Sequence, residues 1–236
     1  MTPILDLHHV SAGYGPFRAL FDVKLTVEPG EAVALLGPNG VGKTTVARVA
    51  TGLVAPTDGL VVVGGDDMTG APVHRFRRAG IIHAPEGRSV FATLTVEENL
   101  VLSFRASRGR AEVTPALDQA FALFPALATR RKQIAGTLSG GEQRMLAMAR
   151  VLVEEPKLLV ADELSLGLAP KIVDEVYASL DRLRTAGTAL LIVEQHVGHA
   201  LDLCDRVALL DHGAIAWEGA AADAADRVVT AVFATD

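Results

Sequence analysis

The stretch EAVALLGPNGVGKTTVARVAT, residues Glu31–Thr51, decides the fold. It opens with a short apolar run, Glu31–Leu36, which predicts a buried strand. A glycine-rich loop, Gly37–Gly42, follows at once and leads into Lys43–Thr51, whose spacing predicts a helix ending near Gly52. Strand, glycine loop and helix in direct succession are typical of an α/β unit that binds phosphate.

The loop has the residue types that phosphate binding requires. Its glycines let the backbone fold tightly around anionic oxygens, so that successive amides and the helix dipole face a phosphate. Lys43 is predicted to neutralise the β- and γ-phosphate oxygens, and the Thr44 hydroxyl is predicted to ligate Mg²⁺. An ordinary glycine turn is the alternative. The predicted nucleotide-binding set from this stretch is Gly37, Pro38, Asn39, Gly40, Val41, Gly42, Lys43, Thr44 and Thr45.

A second motif, LLVADE, occupies residues Leu158–Glu163. Its two acids follow an apolar strand, at the sheet edge where open α/β proteins bind ligands. Asp162 is predicted to hold Mg²⁺ through water, and Glu163 to polarise the attacking water as a general base. Taken alone, acids at this place are also common as helix N-caps.

A third motif, LSGGEQ, begins at Leu138. Ser139 and Glu142 have the spacing of a capping box at the start of a helix predicted over Glu142–Val153. The two glycines leave amides bare, so the same helix start is also predicted to accept a phosphate group. The candidate residues are Ser139, Gly140, Gly141, Glu142 and Gln143.

The remaining pattern predicts strands first, helices in the middle, and strand–helix alternation at the end, which implies a parallel sheet with crossover helices. The turn-rich segment Ser11–Pro16 is predicted to separate the first two strands. The middle third, Val96–Val153, shows helical spacing. The other predicted elements are strands Ile4–Val10, Leu20–Val27, Leu60–Val63, Ile81–Ala84, Leu158–Ala161, Ala189–Val193 and Val207–Leu210, with helices Lys171–Arg184 and Val197–Leu203.

Composition excludes several classes of protein. The 236 residues are 50% hydrophobic and 21% charged, which rules out an intrinsically disordered chain. No apolar run reaches the roughly 18 residues of a membrane span, and the first ten residues lack a basic signal region, so we expect a cytoplasmic protein. Cys204 is the only cysteine, so no intramolecular disulfide forms. A net charge of −6 argues against nucleic acid as a partner.

The phosphate loop, LSGGEQ and LLVADE, in that order along the chain, resemble the ATP-binding cassette (ABC) family. The resemblance covers nearly the whole chain. It implies an α/β fold of the P-loop NTPase class, with a parallel-sheet core, an N-terminal antiparallel β subdomain and an inserted helical subdomain. It also implies one nucleotide-binding domain over 1–236, with a core of about 1–88 and 155–236 and a helical subdomain of about 89–154. ATP and Mg²⁺ are the implied cofactors, and ATP hydrolysis the implied activity.

The resemblance also implies a dimer, since two cassettes of this family enclose two ATP molecules head to tail. Ser139–Gln143 of one subunit would then face the γ-phosphate held by Lys43 of the other. Tyr14 matches the aromatic residue that stacks on adenine in the family; a plain turn tyrosine is the alternative.

Two segments narrow the resemblance to a subgroup. Glu86 stands where the family usually has a glutamine, and PEGRxxF followed by LTVEENL, with a capping box from Thr95 to Glu98, resembles the shorter ATPase subunit of branched-chain amino-acid importers. Urea and amide importers are close relatives. The segment Ser165–Pro170, SLGLAP, fits the same subgroup. Glu86 is predicted to approach Mg²⁺ or to pair with Arg88.

The switch position, where a residue of the family contacts the γ-phosphate, has two candidates in this chain. Most members of the family place a histidine there, and here the segment is Val193–His196, in which Gln195 holds the position and His196 falls one residue later. Gln195 can donate a hydrogen bond but cannot shuttle a proton near neutral pH. We predict that Gln195 positions the γ-phosphate and keep His196 as the alternative. His196 and His199 as a metal pair are less favoured than a solvated surface.

The resemblance implies partners as well. These are transmembrane permease subunits, a second ABC ATPase subunit that is identical or different, and indirectly a solute-binding protein, with the chain peripheral on the inner face of the cell membrane. Phe91 and Leu94 are the expected apolar contacts of the permease. The alternatives are a soluble ABC ATPase without a transport role, a GTPase or small-molecule kinase, which share only the phosphate loop, and a non-enzymatic ATP sensor.

Overall fold

A computed structural model describes residues 2–84, 90–166, 168–195 and 197–224. The chain divides into two compact units. The first comprises the described residues of Met1–His83, Lys157–Glu163 and Arg184–Asp236, and the second those of Ala84–Pro156 and Leu164–Leu183. The boundaries near 88 and 155 expected from the sequence stay predictions.

The described strands and helices follow one another in chain order. They are β1 Leu5–Tyr14, β2 Phe17–Val27, β3 Ala32–Leu36, α1 Lys43–Ala50, β4 Asp58–Val63, β5 Asp66–Asp67, α2 Val73–Arg78, β6 Ile81–Ala84, α3 Val96–Ser107, α4 Val113–Leu123, α5 Pro125–Ala128, α6 Gly140–Leu152, β7 Leu158–Asp162, α7 Pro170–Thr185, β8 Ala189–Glu194, α8 Val197–Leu203, β9 Arg206–Asp211 and β10 Ala214–Ala220. Short 3₁₀ turns lie at Arg110–Glu112, Ala135–Thr137 and Ala221–Asp223.

Within the described residues, the first unit contains an antiparallel sheet with strand order β2-β1-β4-β5. The prediction that Ser11–Pro16 forms a turn is wrong for most of that segment. Tyr14 pairs with Phe17, so only Gly15 and Pro16 connect the strands. The pairing of β1 with β2 shifts register between Leu7 and Gly13, and these bulges interrupt the alternation by which sequence analysis finds a strand.

The second sheet of the described chain has strand order β10-β9-β3-β8-β7-β6. Strand β3 runs parallel to β8 and β9, and β7 runs parallel to β8, as the alternating pattern predicts. Strand β10 is antiparallel to β9 and was not predicted, since its small residues carry little strand signal. The register aligns Leu36 with Glu194 and Asp162 with Val193, so the ends of β3, β7 and β8 meet at one edge.

One apolar cluster holds the first unit together. Strands β3, β7 and β8 are buried along their whole length, which explains their continuous apolar sequences. The cluster includes Leu5 and Leu25 of the antiparallel sheet, Val46 of α1, and Val160 of β7. Each buried leucine or valine side chain contributes roughly 1.5–3 kcal/mol, so this core fixes α1 beneath the sheet edge.

The second unit is helical in its described part. Helix α3 contacts α4 and α6, and α5 also contacts α6. Leu100, Phe104, Leu146 and Met148 are among its fully buried side chains. The capping box predicted from Thr95 to Glu98 is confirmed at the start of α3. In the described part of the chain, no helix is both long and apolar enough to cross a bilayer.

Candidate nucleotide-binding site

The glycine loop joins the buried strand β3 to α1, as predicted. Gly42 is the N-cap of α1 with φ 108°, and no side chain caps the helix, so its first amides stay open. A Cβ on Gly37 would lie 2.2 Å from the carbonyl oxygen of Leu210, which explains the need for glycine there. The open amides at this helix start form a candidate anion-binding site.

Lys43 lies at this candidate anion-binding site and is only 4% exposed. Its Nζ donates hydrogen bonds of 2.8 Å to the carbonyl oxygens of Gly37 and Pro38. Burial lowers the pKa of the Lys43 amine, and the nearby carboxylates, with Glu163 the strongest, oppose that shift. The amine is thus folded onto the loop that the sequence predicts to surround phosphate.

Thr44 and Asp162 meet beside Lys43. The Thr44 hydroxyl donates to Oδ1 of Asp162 over 3.3 Å, and Asp162 is 1% exposed. A hydroxyl and a carboxylate are hard oxygen ligands of the kind Mg²⁺ prefers, so these residues fit the ion. The described residues hold no cluster of three or more histidine, cysteine or carboxylate side chains suited to a metal.

Glu163 follows Asp162 with a left-handed backbone, φ 47°, and its amide donates to the carbonyl oxygen of Val193 over 2.9 Å. Non-glycine residues in this region cost about 1–3 kcal/mol and cluster at functional sites, where the surrounding structure holds them. The bond to β8 is such a restraint. The predicted role of Glu163 as general base stays a prediction.

The switch segment begins where β8 ends. Glu194 is the last residue of β8 and is 1% exposed, and Gln195 follows directly. The sequence assigned no role to Glu194, although a single acid at the end of an apolar strand is a signal that could have found it. His196 lies outside the described residues, so the choice between Gln195 and His196 stays open.

His83 belongs to the same region, and sequence analysis missed it. Its Nε2 lies 4.0 Å from Oδ2 of Asp162. Burial, with a smaller effect of the Arg48 charge, lowers the pKa of His83 to about 4, so the imidazole is neutral at pH 7. A histidine inside an otherwise apolar strand was the available signal.

Tyr14 stands at the end of β1 and is 43% exposed. Arg48 of α1 donates from Nη1 to the tyrosine hydroxyl over 3.1 Å, and its guanidinium carbon lies 5.9 Å from the ring centre. The arginine therefore orients the ring while much of it stays accessible. Adenine stacking by Tyr14 stays a prediction.

The LSGGEQ motif lies in the second unit, at the start of α6. The predicted capping box is confirmed, because the Ser139 hydroxyl accepts from the Glu142 amide and the Glu142 carboxylate accepts from the Ser139 amide. Arg130 also pairs with Glu142, 2.8 Å from Nε to Oε1. The hydrogen bond from the Ser139 backbone is the main reason that the pKa of Glu142 is lowered. Gly140 and Gly141 form the first turn of the helix.

Gln143 is 4% exposed and turns into the second unit. Its Nε2 donates to the carbonyl oxygens of Ala135 and Leu138, each over 3.1 Å. These bonds hold the loop that precedes the motif. The nucleotide contact assigned to Gln143 from the sequence stays a prediction.

Phe91 is 47% exposed in the second unit. The buried amide of Asn99 accepts a 2.8 Å hydrogen bond from the Phe91 amide and donates to the Phe91 carbonyl over 3.0 Å. Glu86 and Arg88 lie outside the described residues, so the predicted approach of Glu86 to Mg²⁺ or Arg88 is not described.

The structure thus brings Lys43, Thr44, Asp162 and Glu163 together at the edge where β3 and β7 end, and it places Ser139–Gln143 in the other unit. A glycine loop at a helix start, with a lysine and two carboxylates beside it, defines a phosphate-loop protein that binds nucleoside triphosphate.

Comparisons with known proteins name the family. The profile of the ABC transporter family matches residues 20–165. The branched-chain amino acid transport ATP-binding proteins BraG of Pseudomonas aeruginosa and LivF of Archaeoglobus fulgidus are 42% and 38% identical to this chain, each over 90% of it and over 91% and 90% of their own length. The chain belongs to the ABC transporter family, as an ATP-binding subunit that hydrolyses ATP.

Another relative is named for export. The lipopolysaccharide export ATP-binding protein LptB of Haemophilus influenzae is 35% identical over 90% of this chain and 88% of its own length. Among solved structures, an ATP-binding subunit of an ABC transporter is 27% identical with a TM-score of 0.85, covering 97% of this chain and 94% of the other. A nucleotide-free cassette has a TM-score of 0.83 at 25% identity, covering 97% and 95%. The predicted fold class is confirmed.

Proposed function

We propose that this ATP-hydrolysing subunit drives the import of branched-chain amino acids. The observation that carries the proposal is the 42% identity to BraG over nearly the full length of both chains, against 35% for LptB. The segments PEGRxxF, LTVEENL and SLGLAP support it, since they resemble the same subgroup of importers.

The proposed chemistry assigns one task to each group at the sheet edge. The loop amides and Lys43 bind the β- and γ-phosphate oxygens, and phosphate takes the place of the carbonyl oxygens that Lys43 now contacts. Thr44, and Asp162 through water, would hold Mg²⁺, and the ion would supply positive charge to neutralise the phosphates. Glu163 accepts the proton of the attacking water, and Gln195 or His196 orients the γ-phosphate.

The second unit completes the proposed site in a dimer. Ser139 is exposed at the start of α6, and the capping box occupies the Glu142 amide, so the Ser139 hydroxyl proton and the amides of Gly140 and Gly141 would contact a phosphate of another subunit. Glu142 and Gln143 keep that helix start in shape through the capping box and the loop carbonyls. Closure of two such subunits on two ATP molecules would be transmitted to a permease.

The proposed partners follow from this role. They are membrane permease subunits, a second cassette that is identical or different, and indirectly a solute-binding protein, with the chain at the inner face of the membrane. Phe91 offers an exposed apolar ring, and Leu94 beside it is partly exposed, which suits the contact with a permease. No role in nucleic-acid binding is proposed, given the net charge of −6.

Export of lipopolysaccharide is the second candidate, because the LptB proteins are also similar over most of the chain. Import of urea or amides is a close variant of the main proposal. A tagged copy of the chain, expressed at its native level and purified from native membranes, distinguishes them by the permease that copurifies. The same tag on a Lys43→Ala chain shows whether recovery depends on nucleotide.

We expect mass spectrometry to find an amino-acid permease pair and a second cassette. Recovery of a urea or amide permease would change the proposed solute to urea or an amide. Recovery of a lipopolysaccharide exporter would overturn the direction of transport, and recovery of soluble proteins alone would overturn the transport role.

A further inference from the structure

His83 places a buried ring nitrogen beside the proposed magnesium site. Its Nε2 is buried and has no hydrogen-bond partner among the residues that the structure describes. Only 11% of the side chain is exposed, so water does not readily satisfy this nitrogen. Buried polar atoms in native proteins nearly always have a partner, and an exception calls for an explanation.

The fold aims this nitrogen at Asp162. Strand β6 neighbours β7 in the sheet, and Asp162 is the last residue of β7. Ile81 packs into the apolar cluster that includes α1, and His83, two residues later, lies on the same face of β6. The imidazole therefore approaches Asp162 from the side on which α1 and the glycine loop lie.

The two oxygens of Asp162 face two different groups. Oδ1 accepts from the Thr44 hydroxyl over 3.3 Å, whereas Oδ2 lies 4.0 Å from His83 Nε2. The second distance is too long for a hydrogen bond. A shortening of about 1 Å would bring the imidazole into ordinary N–H···O range, with the tautomer that carries the proton on Nε2.

We propose that His83 is a positioning residue for Mg²⁺: its Nε2–H donates to Oδ2 of Asp162 when nucleotide and metal are bound, and so fixes the orientation of the carboxylate. The inference rests on the role of Asp162 under the proposed function. Donors in the shell behind a metal-binding carboxylate hold it in place, and their loss typically weakens metal affinity about 10- to 100-fold.

The test measures metal binding directly. Mn²⁺ replaces Mg²⁺, adenylyl imidodiphosphate replaces ATP, and electron paramagnetic resonance reports the free Mn²⁺ in the presence of full-length protein. His83→Leu removes the donor at similar volume, and His83→Gln keeps an amide donor. We expect His83→Leu to weaken Mn²⁺ binding about tenfold and His83→Gln to restore most of the affinity.

A second measurement separates metal positioning from a general effect on the fold. Binding of a fluorescent ATP analogue in EDTA needs no metal, and we expect it to be equal in wild-type and His83→Leu protein. An equal loss in EDTA and in Mn²⁺ would overturn the proposal. Thermal unfolding shows whether the variants fold; if His83→Leu does not, His83→Asn, whose shorter amide does not reach Asp162, takes its place.

Asp162→Asn distinguishes failure of this inference from failure of the proposed site. We expect Asp162→Asn to weaken Mn²⁺ binding, and His83→Leu to add nothing in that background. If Asp162→Asn matters and His83→Leu does not, the positioning role is wrong and the metal site stands. If Asp162→Asn has no effect, the metal site itself is wrong and the inference falls with it.

Discussion

Glu163 adopts a backbone conformation that glutamate rarely takes, with φ 47° directly after a buried strand. Two interactions restrain it: the hydrogen bond from its backbone amide to the Val193 carbonyl oxygen, and the nearby charge of Lys43. Together they fix a carboxylate close to the place proposed for the γ-phosphate. A strained residue held in this way is a common arrangement for a group that acts on substrate.

Glu163→Gln is expected to lower the rate of ATP turnover at least about 100-fold, because the amide cannot accept the proton of the attacking water. ATP binding should be kept, and ATP-bound chains should accumulate as dimers. Phosphate release and equilibrium binding of ATP measure the two properties. Glu155→Gln is the matched control, since Glu155 also has a positive φ, 50°, and lies in the other unit. Turnover at the wild-type rate in Glu163→Gln would refute the role of Glu163 as general base.

Gln195 and His196 compete for the switch role, and two single variants separate them. Gln195→Ala is expected to slow hydrolysis about 10- to 1,000-fold, because a positioned donor to the γ-phosphate is lost. His196→Ala should retain most of the activity. Single-turnover hydrolysis with excess protein is the measurement. The reverse ranking would assign the switch to His196.

The Glu142 carboxylate caps α6, and its pKa is lowered chiefly by the Ser139 backbone amide. A lowered pKa in the folded state gives stability above the ordinary value of about 4.3 that is lost as the pH falls through the folded value. Glu142→Ala should therefore reduce the free energy of unfolding by about 0.5–1 kcal/mol at pH 7 and by less below pH 4. Urea unfolding at several pH values tests this, and a difference independent of pH would contradict it.

Helix α3 depends on one buried amide at its first turn. Asn99 is fully buried and donates through Nδ2 to the carbonyl oxygens of Phe91 and Thr95, while its Oδ1 accepts from the Phe91 amide. The segment before α3 thus takes its shape from the helix. Phe91, the expected permease contact, is presented by this arrangement.

Asn99→Ala removes the acceptor of the part-buried Phe91 amide, whereas the Phe91 and Thr95 carbonyl oxygens keep backbone donors, the amides of Leu94 and Asn99. We expect the free energy of unfolding to fall by about 1–3 kcal/mol, and the accessibility of Phe91 to change. Urea unfolding and limited proteolysis measure both effects. Gln119→Ala on α4 is the control, because the exposed amide of Gln119 makes only a 3.5 Å contact, and a change within about 0.5 kcal/mol is expected. Equal effects of the two variants would refute the role of Asn99 in holding the segment before α3.

Elements with a strong pattern were predictable from the sequence. The apolar runs of β3, β7 and β8 and the capped starts of α3 and α6 were found because burial and capping leave a local signal. The bulged end of β1 and the small residues of β10 were missed, since pairing with β2 and β9 decides them. Helix α2, Val73–Arg78, was also missed, because its six residues are too few to show a period.

The candidate site follows the same division. The glycine loop, Lys43, Thr44, Asp162 and Glu163 were found because their chemistry is written in contiguous motifs. His83 and Arg48 were not, because their importance depends on which strand lies beside β7 and which ring lies beside α1. A histidine in an apolar strand marks His83 as unusual, but one sequence does not show which distant segment a side chain contacts.

The whole chain combines a first unit that carries the phosphate loop and the carboxylates with a second unit that carries the LSGGEQ helix start. In the proposed mechanism neither set is sufficient, because one subunit supplies the loop and another supplies the helix start. In the proposed transporter, the permease and the binding protein would select the solute. The assembled transporter is therefore the right material for a test of import.

The measurement is uptake of radiolabelled leucine by proteoliposomes that contain the complex copurified with this chain, with ATP and Mg²⁺ on the face that carries it and the solute-binding protein on the other. We expect leucine to accumulate with wild-type protein and not with Glu163→Gln. A complex that hydrolyses ATP and accumulates no leucine, isoleucine or valine would contradict it.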